Sequence, residues 1–277
     1  MRRSLPTRLA GVAAGALLLA GGCTDDDDDS SGGPLDQSDG ASDETTTTEA
    51  GVAPELAAYC DAALALETIP DPALDASSSD SEAAAWVREE LQPRVEAVVA
   101  AAPAEIADDL VTQAAAVENA AATGDFGYFG GADVDAAEAR THAFDLANCG
   151  WNQQPVEATE YSFGDVPASL AAGPTSFELT NVGAEVHEIV LARKNPGVTE
   201  SVADILARPE DEARSMITEV GSVYADPGEA DYRVVDLEPG DYVMVCFVPV
   251  GVTSSDAVSP EGPPHHTQGM VAEFTVT

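Results

Sequence analysis

The sequence predicts an α+β chain with two folded parts, a small helical bundle followed by a β-sandwich. Three observations carry this. From Pro54 to Gly150 the chain is alanine-rich, and its larger apolar residues recur at helical spacing. At Trp151 the character changes to short stretches that alternate apolar and polar, as in Thr175–Asn181 (TSFELTN). Turn residues such as Pro239-Gly240 then separate stretches of strand length.

Residues 1–22 have the form of an export signal. Arg2, Arg3 and Arg8 make a positive start, and Leu9–Ala20 is an apolar run too short to span a bilayer comfortably. Ala20, Gly21 and Gly22 then precede Cys23. This resembles the lipobox of bacterial lipoproteins, which implies acylation at Cys23 and attachment to the outer face of the cell membrane. Ala20 departs from that pattern, which usually has a branched residue there. The other reading is an ordinary cleaved signal with a chance cysteine. Residues 23–53 hold no basic residue and almost nothing for a core. Such a segment cannot offset its own ordering entropy, and we expect a disordered acidic linker.

Within 54–150 the elements follow from local chemistry. Pro54 suits a first turn, with Leu56, Tyr59, Cys60 and Ala63 on a core face. Ser79 and Glu82 have capping-box spacing ahead of Trp86, Val87, Leu91, Val95, Val98 and Val99, a helix that Pro93 should kink. Ile106, Leu110, Val111, Ala114 and Val117 share a face of a third helix, which Gly124 ends. Asp133 or Asp135 starts a fourth, with Ala136, Ala139, Ala143, Leu146 and Cys149 as its apolar positions. An exported chain sits in an oxidising compartment, so a Cys60–Cys149 disulfide is expected, with two free buried thiols as the alternative. Closing a loop of about 90 residues contributes about 4 kcal/mol in the chain-entropy model. His142 has no ligand-type neighbour at useful spacing and reads as structural. This part is similar to the N-terminal part of actinobacterial lipoproteins, through YCDAALALE and NCGW. That likeness implies architecture and no activity.

In 151–277 about seven strands are expected: around Tyr161–Phe163, at Thr175–Asn181, His187–Ala192, Tyr232–Asp236, Asp241–Val248 and Val271–Val276, with a turn at Leu170–Pro174. Two short helices, Val202–Leu206 and Glu210–Ile217, belong to an excursion from Lys194 to about Ala230. A thiolate, imidazoles and a thioether lie within or beside these strands: Cys246, His187, His265, His266 and Met270. Those are the ligand types of a blue-copper site. Cysteine counting points the same way: with Cys23 acylated and Cys60 paired to Cys149, Cys246 is left over. The plainer reading of Cys246 is a buried structural cysteine in phase with Met244 and Val248.

Three pieces carry a family likeness: N-x-G-x-x-x-H at Asn181–His187, DYVMVCF at Asp241–Phe247 and P-H-x-x-x-G-M at Pro264–Met270. Through them the chain from about Glu157 resembles the cupredoxin family, of plastocyanin and azurin type. The resemblance implies a cupredoxin-like Greek-key β-sandwich holding one copper ion on His187, Cys246, His265 and Met270. His266 is the alternative to His265: His265 has the plastocyanin spacing to Met270 and follows a proline, while His266 has the azurin spacing. Two departures stand out. Nearly twenty residues separate Cys246 from the histidines, which implies a looser or rebuilt site, and Glu188 stands where the family often has an asparagine that braces the cysteine loop.

Lys and Arg number 11 against 50 Asp and Glu, a formal charge of −39. Such a chain repels phosphates, which excludes nucleic-acid binding by charge neutralisation. The acid serves solubility or a salty medium, or else steers a cationic partner. Four histidines are too few for the further copper centres of a multicopper oxidase, and no HExxH or GxSxG motif is present. The expectation is a lipid-anchored, non-enzymatic protein that carries electrons or handles copper, with a redox or copper-delivery protein as partner. The competing expectation is a metal-free binding or structural lipoprotein that uses the fold as a scaffold.

Overall fold

The computed structural model describes residues 52–70, 74, 78–164, 166–255 and 262–277. The signal segment, Cys23 and nearly all of the acidic linker lie outside the described residues. Helix α1 spans Ala57–Glu67, and its Tyr59, Cys60 and Ala63 are buried. Helix α2 (Asp80–Trp86) opens on a Ser79/Glu82 capping box, in which each residue's side chain accepts from the other's backbone N–H. It runs through a π-helical turn at Val87–Leu91 into α3 (Gln92–Ala100). The π turn accounts for Pro93, which has no N–H for the carbonyl four residues back and whose ring needs room there. Helix α4 (Ala107–Thr123) ends on Gly124, which takes the left-handed conformation at φ 76°, and a Cβ there would strike the Asp80 carbonyl. The aromatic turn forms a 3₁₀ helix at Phe126–Gly130, and α5 follows at Ala132–Asn148.

Helix α5 differs from its expected face. Ala136 and Ala143 are exposed, and the buried stripe is Val134, Ala137, Thr141 and Asp145. Alanine-rich periodicity marks no unique face, and polar partners decide it. The Tyr59 hydroxyl donates to Asp145 Oδ1 at 2.6 Å, and Thr141 Oγ1 accepts from Gln113. Burial pushes the Asp145 carboxyl up to about 7, with the Tyr59 bond opposing, and burial likewise pushes Glu67 up to about 7 against the attraction of Arg233. Cys60 and Cys149 form a disulfide that ties α1 to the end of α5.

The strands build two mixed sheets. The first has the order β2-β1-β4-β7, from β1 (Asn152–Thr159), β2 (Ser162–Phe163), β4 (Gly173–Asn181) and β7 (Ala230–Leu237). The second runs β3-β9-β8-β5-β6, from β3 (Ser169–Leu170), β5 (His187–Lys194), β6 (Ile217–Ala225), β8 (Gly240–Val245) and β9 (Val271–Val276). One core lies between them: Val156, Phe177, Leu179 and Leu237 from the first sheet meet Ile189, Leu191, Met244 and Phe274 from the second. Full burial of such side chains is worth about 1.5–3 kcal/mol each.

Among the described residues nine strands form where about seven were expected. β1 was hidden because NQQPVEAT is polar and contains a proline. It pairs in parallel with β4, and buried Gln154 satisfies itself by donating to the Pro155 carbonyl. β6 lies inside the expected helical excursion and pairs with β5. Short helices α6 (Val202–Leu206) and α7 (Glu210–Met216) precede it, and Val202 of α6 packs with Val243 and Val245 against the outer face of the second sheet.

The bundle covers the outer face of the first sheet. Tyr59, Val98, Cys149, Trp151, Tyr232 and Val234 form one apolar cluster across the joint. His142 is half-buried there, stacked on Tyr232 with ring centroids 3.4 Å apart and 3.3 Å from the Ser176 hydroxyl. Among the described residues no helix is long and apolar enough to cross a membrane.

Candidate metal centre

Strand register assembles the site. Val245 pairs with both Val190 of β5 and Val271 of β9. The next residue, Cys246, therefore lies opposite Met270, whose carbonyl accepts its N–H at 3.2 Å, and beside the start of β5, where His187 is the first residue. A 3₁₀ turn at His265–Gln268 leads into β9 and folds His265 back over the strand ends. Donor atoms of His187, Cys246 and His265 all lie within 4.8 Å of one another. The Cys246 sulfur is 3.4 Å from His265 Nδ1, and all three residues are fully buried.

Met270 is also fully buried, in the same core cluster as Cys246. His266 does not join them. It is partly exposed, packs edge-on against Phe247 and lines a pocket of about 550 Å³ with Val202, Leu206 and Val271. Of the two adjacent histidines, the structure brings His265 to the cluster.

The long segment between Cys246 and His265 is closed at its base. Pro249 bridges Pro264, the Val250 N–H donates to the Pro263 carbonyl at 3.0 Å, and the His265 N–H donates to the Val248 carbonyl at 2.9 Å. Further out, the Val186 N–H donates to the Val252 carbonyl at 2.7 Å and the Ser255 N–H to Asp226 at 2.9 Å. The described residues on either side of the loop are thus zipped together at its base. The length that led to the expectation of a looser or rebuilt site is therefore compatible with a closed base, because added loop length costs little once its ends are fixed.

Three carboxylates surround the cluster. Glu188 fills the bracing role: its Oε1 accepts from the Phe247 N–H at 2.9 Å, while its backbone N–H points at the Cys246 sulfur at 3.5 Å. Burial raises the Glu188 carboxyl above the usual range, with the Phe247 bond opposing. Glu185 Oε2 lies 3.0 Å from His265 Nε2 and accepts from the Gly251 N–H at 2.6 Å. Burial pushes Glu185 up, but the bonds from Gly251 and His265 outweigh it and hold the group below the usual carboxylate range. Glu160 Oε1 accepts from the Ala184 and Glu185 N–H groups.

Asn181 organises the loop carrying Glu185. Its Nδ2 donates to the Glu185 and Ala225 carbonyls, both at 2.8 Å, and its Oδ1 accepts from the Gly183 N–H at 2.9 Å. Gly183 is required by close approach, since a Cβ would stand 2.5 Å from Glu160 Oε1 and 2.9 Å from His187 Nε2.

The imidazole at the centre has no hydrogen bond among the described residues. Both ring nitrogens of His187 are buried and unpartnered among the described residues, and the nearby Glu160 oxygen is 3.7 Å away, beyond bonding distance. Burial, then the adjacent His265, lowers its pKa, so the ring is neutral with an available lone pair. Burial pushes the Cys246 thiol up to about 12. The thiol keeps its proton at neutral pH unless a cation takes its place.

No family model matches the sequence, and no curated protein matches it. Solved structures do. The chain is similar to dithionite-reduced auracyanin from the photosynthetic bacterium Roseiflexus castenholzii, at 20% identity over 46% of this chain and 97% of that one, with a TM-score of 0.29. It is similar to auracyanin A, a "blue" copper protein of Chloroflexus aurantiacus, at 16% identity over 46% of this chain and 100% of that one, with a TM-score of 0.26. It is also similar to a multicopper oxidase from Campylobacter jejuni, at 9% identity over 45% of this chain and 30% of that one, with a TM-score of 0.26.

Proposed function

We propose that this chain is a cupredoxin-type copper protein that exchanges single electrons outside the cell, held at the membrane by a lipid on Cys23. The observation that carries the copper reading is the buried triad of His187, Cys246 and His265, in which both His187 nitrogens lack a partner. An unsatisfied buried polar group costs about 1–3 kcal/mol, so a fold that keeps one needs something to satisfy it. The residues fit a metal ion. Sulfur at about 2.3 Å and nitrogen at about 2.0 Å from one ion, at a near-tetrahedral angle, lie about 3.5 Å apart, and the Cys246 and His265 donors are 3.4 Å apart.

The donor set selects among metals. Two imidazoles and one thiolate, with buried Met270 beside them, suit copper in both oxidation states. Copper bound there supplies one-electron exchange between Cu(I) and Cu(II). The protein's part is to hold His187 and Cys246 on adjacent strand ends, to fix His265 above a zipped loop base, and to exclude water. A site held this firmly favours electron transfer over copper delivery, which would be served by a mobile ligand loop. Enzymatic turnover is not proposed: the triad is the only metal-type cluster among the described residues, and the fourth histidine, His142, is stacked on Tyr232 at the bundle joint.

The test adds Cu(II) to the purified protein. We expect one equivalent to bind with an intense thiolate-to-copper charge-transfer band, absent in Cys246→Ser and His265→Ala and retained in His266→Ala. Absence of stoichiometric binding by the wild type would overturn the proposal.

A further inference from the structure

We infer that Glu185 is a positioning residue for the site: it fixes His265 in its metal-binding tautomer and, through the same carboxylate oxygen, ties down the backbone at Gly251 in the stretch that follows Cys246. This rests on the copper reading for its metal arm and on the apoprotein geometry alone for the rest.

The placement of hydrogens follows from what each group can do. An ionised carboxylate only accepts hydrogen bonds, and a neutral imidazole has one N–H and one lone pair. Glu185 Oε2 stands 3.0 Å from His265 Nε2. Nε2 therefore carries the hydrogen, and Nδ1 turns its lone pair toward the space shared with the Cys246 sulfur, 3.4 Å away. A carboxylate on the far nitrogen of a metal-bound histidine fixes ring orientation and strengthens the donor, and its loss typically weakens metal binding about 10–100-fold.

Glu185 is itself well anchored. Its N–H donates to Glu160 Oε1 at 2.9 Å, its carbonyl accepts from Asn181 Nδ2 at 2.8 Å, and the Tyr161 hydroxyl, 3.4 Å away, faces its Oε1. Tyr161 also packs on the His265 ring, with centroids 4.8 Å apart. The second acceptance at Oε2, from the Gly251 N–H, reaches the long segment five residues after Cys246. One carboxylate thus joins the loop before β5, the ligand histidine and the excursion between Cys246 and His265. The carboxylate also adds negative charge next to the metal position, which favours the more positive oxidation state.

The experiment compares wild type, Glu185→Gln and Glu185→Leu. In the metal-free protein, ring ¹⁵N spectra should show His265 as the Nε2–H tautomer in wild type and Glu185→Gln, which keeps an acceptor oxygen, and a tautomer mixture in Glu185→Leu. Amide exchange at Gly251 should accelerate in Glu185→Leu only. With Cu(II), Glu185→Leu should lose about 10–100-fold in affinity, and Glu185→Gln should show a raised reduction potential with less than a tenfold loss. Unchanged tautomer and unchanged Gly251 exchange in Glu185→Leu would overturn the inference. If the wild type binds no copper, the copper reading fails, while the tautomer and exchange measurements still decide the role of Glu185.

Discussion

A buried imidazole without partners should destabilise the metal-free protein, and replacing it should show by how much. His187→Leu removes one N–H donor and one lone pair from a site that is fully buried. Each unsatisfied buried group costs about 1–3 kcal/mol, and an apolar replacement of similar size relieves that cost. Leucine is no longer than histidine, so it stays clear of Gly183, whose backbone lies against the ring edge. Taking about 2 kcal/mol as the net gain, the melting midpoint should rise by about 4–8 °C, at the 2–4 °C per kcal/mol usual for a chain of this size. The assay is thermal unfolding followed by circular dichroism, with chelator and then with Cu(II). Wild type should gain about 2.7 kcal/mol at a free copper concentration one hundred times its dissociation constant, and the variant should gain nothing. The order of the two proteins should therefore invert on adding copper. A His187→Leu protein that melts below wild type in chelator would refute the reasoning, because it would mean that the histidine is satisfied without metal.

Two further outcomes test the helical part. Replacing both Cys60 and Cys149 by alanine opens a closure across 89 residues of sequence. The chain-entropy model assigns this about 4–5 kcal/mol, or a midpoint lower by about 8–20 °C, and equal midpoints in oxidised wild type and variant would contradict it. The second concerns pH. Asp145 and Glu67 are both pushed up to about 7 by burial, above their unfolded values near 4. The folded state thus binds protons more tightly than the unfolded one. Their contribution is fully present below about pH 4 and is lost as pH rises through about 7, at up to about 1.4 kcal/mol per pH unit for each group. Asp145→Asn keeps an acceptor for Tyr59 and cannot ionise, so urea unfolding between pH 4.5 and 7.5 should show a shallower fall than wild type. Parallel curves would rule out this origin.

The succession of helices and then strands is visible in the chain because periodicity reports it directly. Ser79 with Glu82 and Gly124 mark helix ends through backbone chemistry that needs no tertiary partner. The helix α5 face was not legible, since alanines occupy several of its sides and the choice depends on Tyr59, 86 residues away. β1 was lost for a similar reason: its polar residues and Pro155 are tolerated because a parallel neighbour, β4, takes the pairing. At the site, His187, Cys246 and His265 were legible through their ligand chemistry and through the three short motifs that resemble the cupredoxin family. Glu185 was missed although it sits two residues before His187. Its importance arises from Gly251 and His265, which a sequence places 66 and 80 residues away. The clue within the motif is an acid between Gly183 and His187, which has meaning only once the loop's direction is known.

The division of labour between the two halves follows from where each surface is covered. The bundle packs on Tyr232 and Val234 in β7 and reaches Ser176 in β4, all on the outer face of the first sheet. The candidate site lies at the strand ends of the second sheet and draws on the first through the loop that leaves β4 at Asn181 and through Glu160 and Tyr161 between β1 and β2. The sandwich core separates the two. A bundle so placed hides aromatic and aliphatic surface that the sheet would otherwise expose, and it leaves the metal end uncovered by helices of the bundle. Among the described residues, two exposed large apolar side chains lie beside the site: Val182, in the loop that carries Glu185, and Phe247, next to Cys246, are 51% and 39% exposed. Among the described residues, the helices that pack on the first sheet therefore do not reach the end that carries the candidate site.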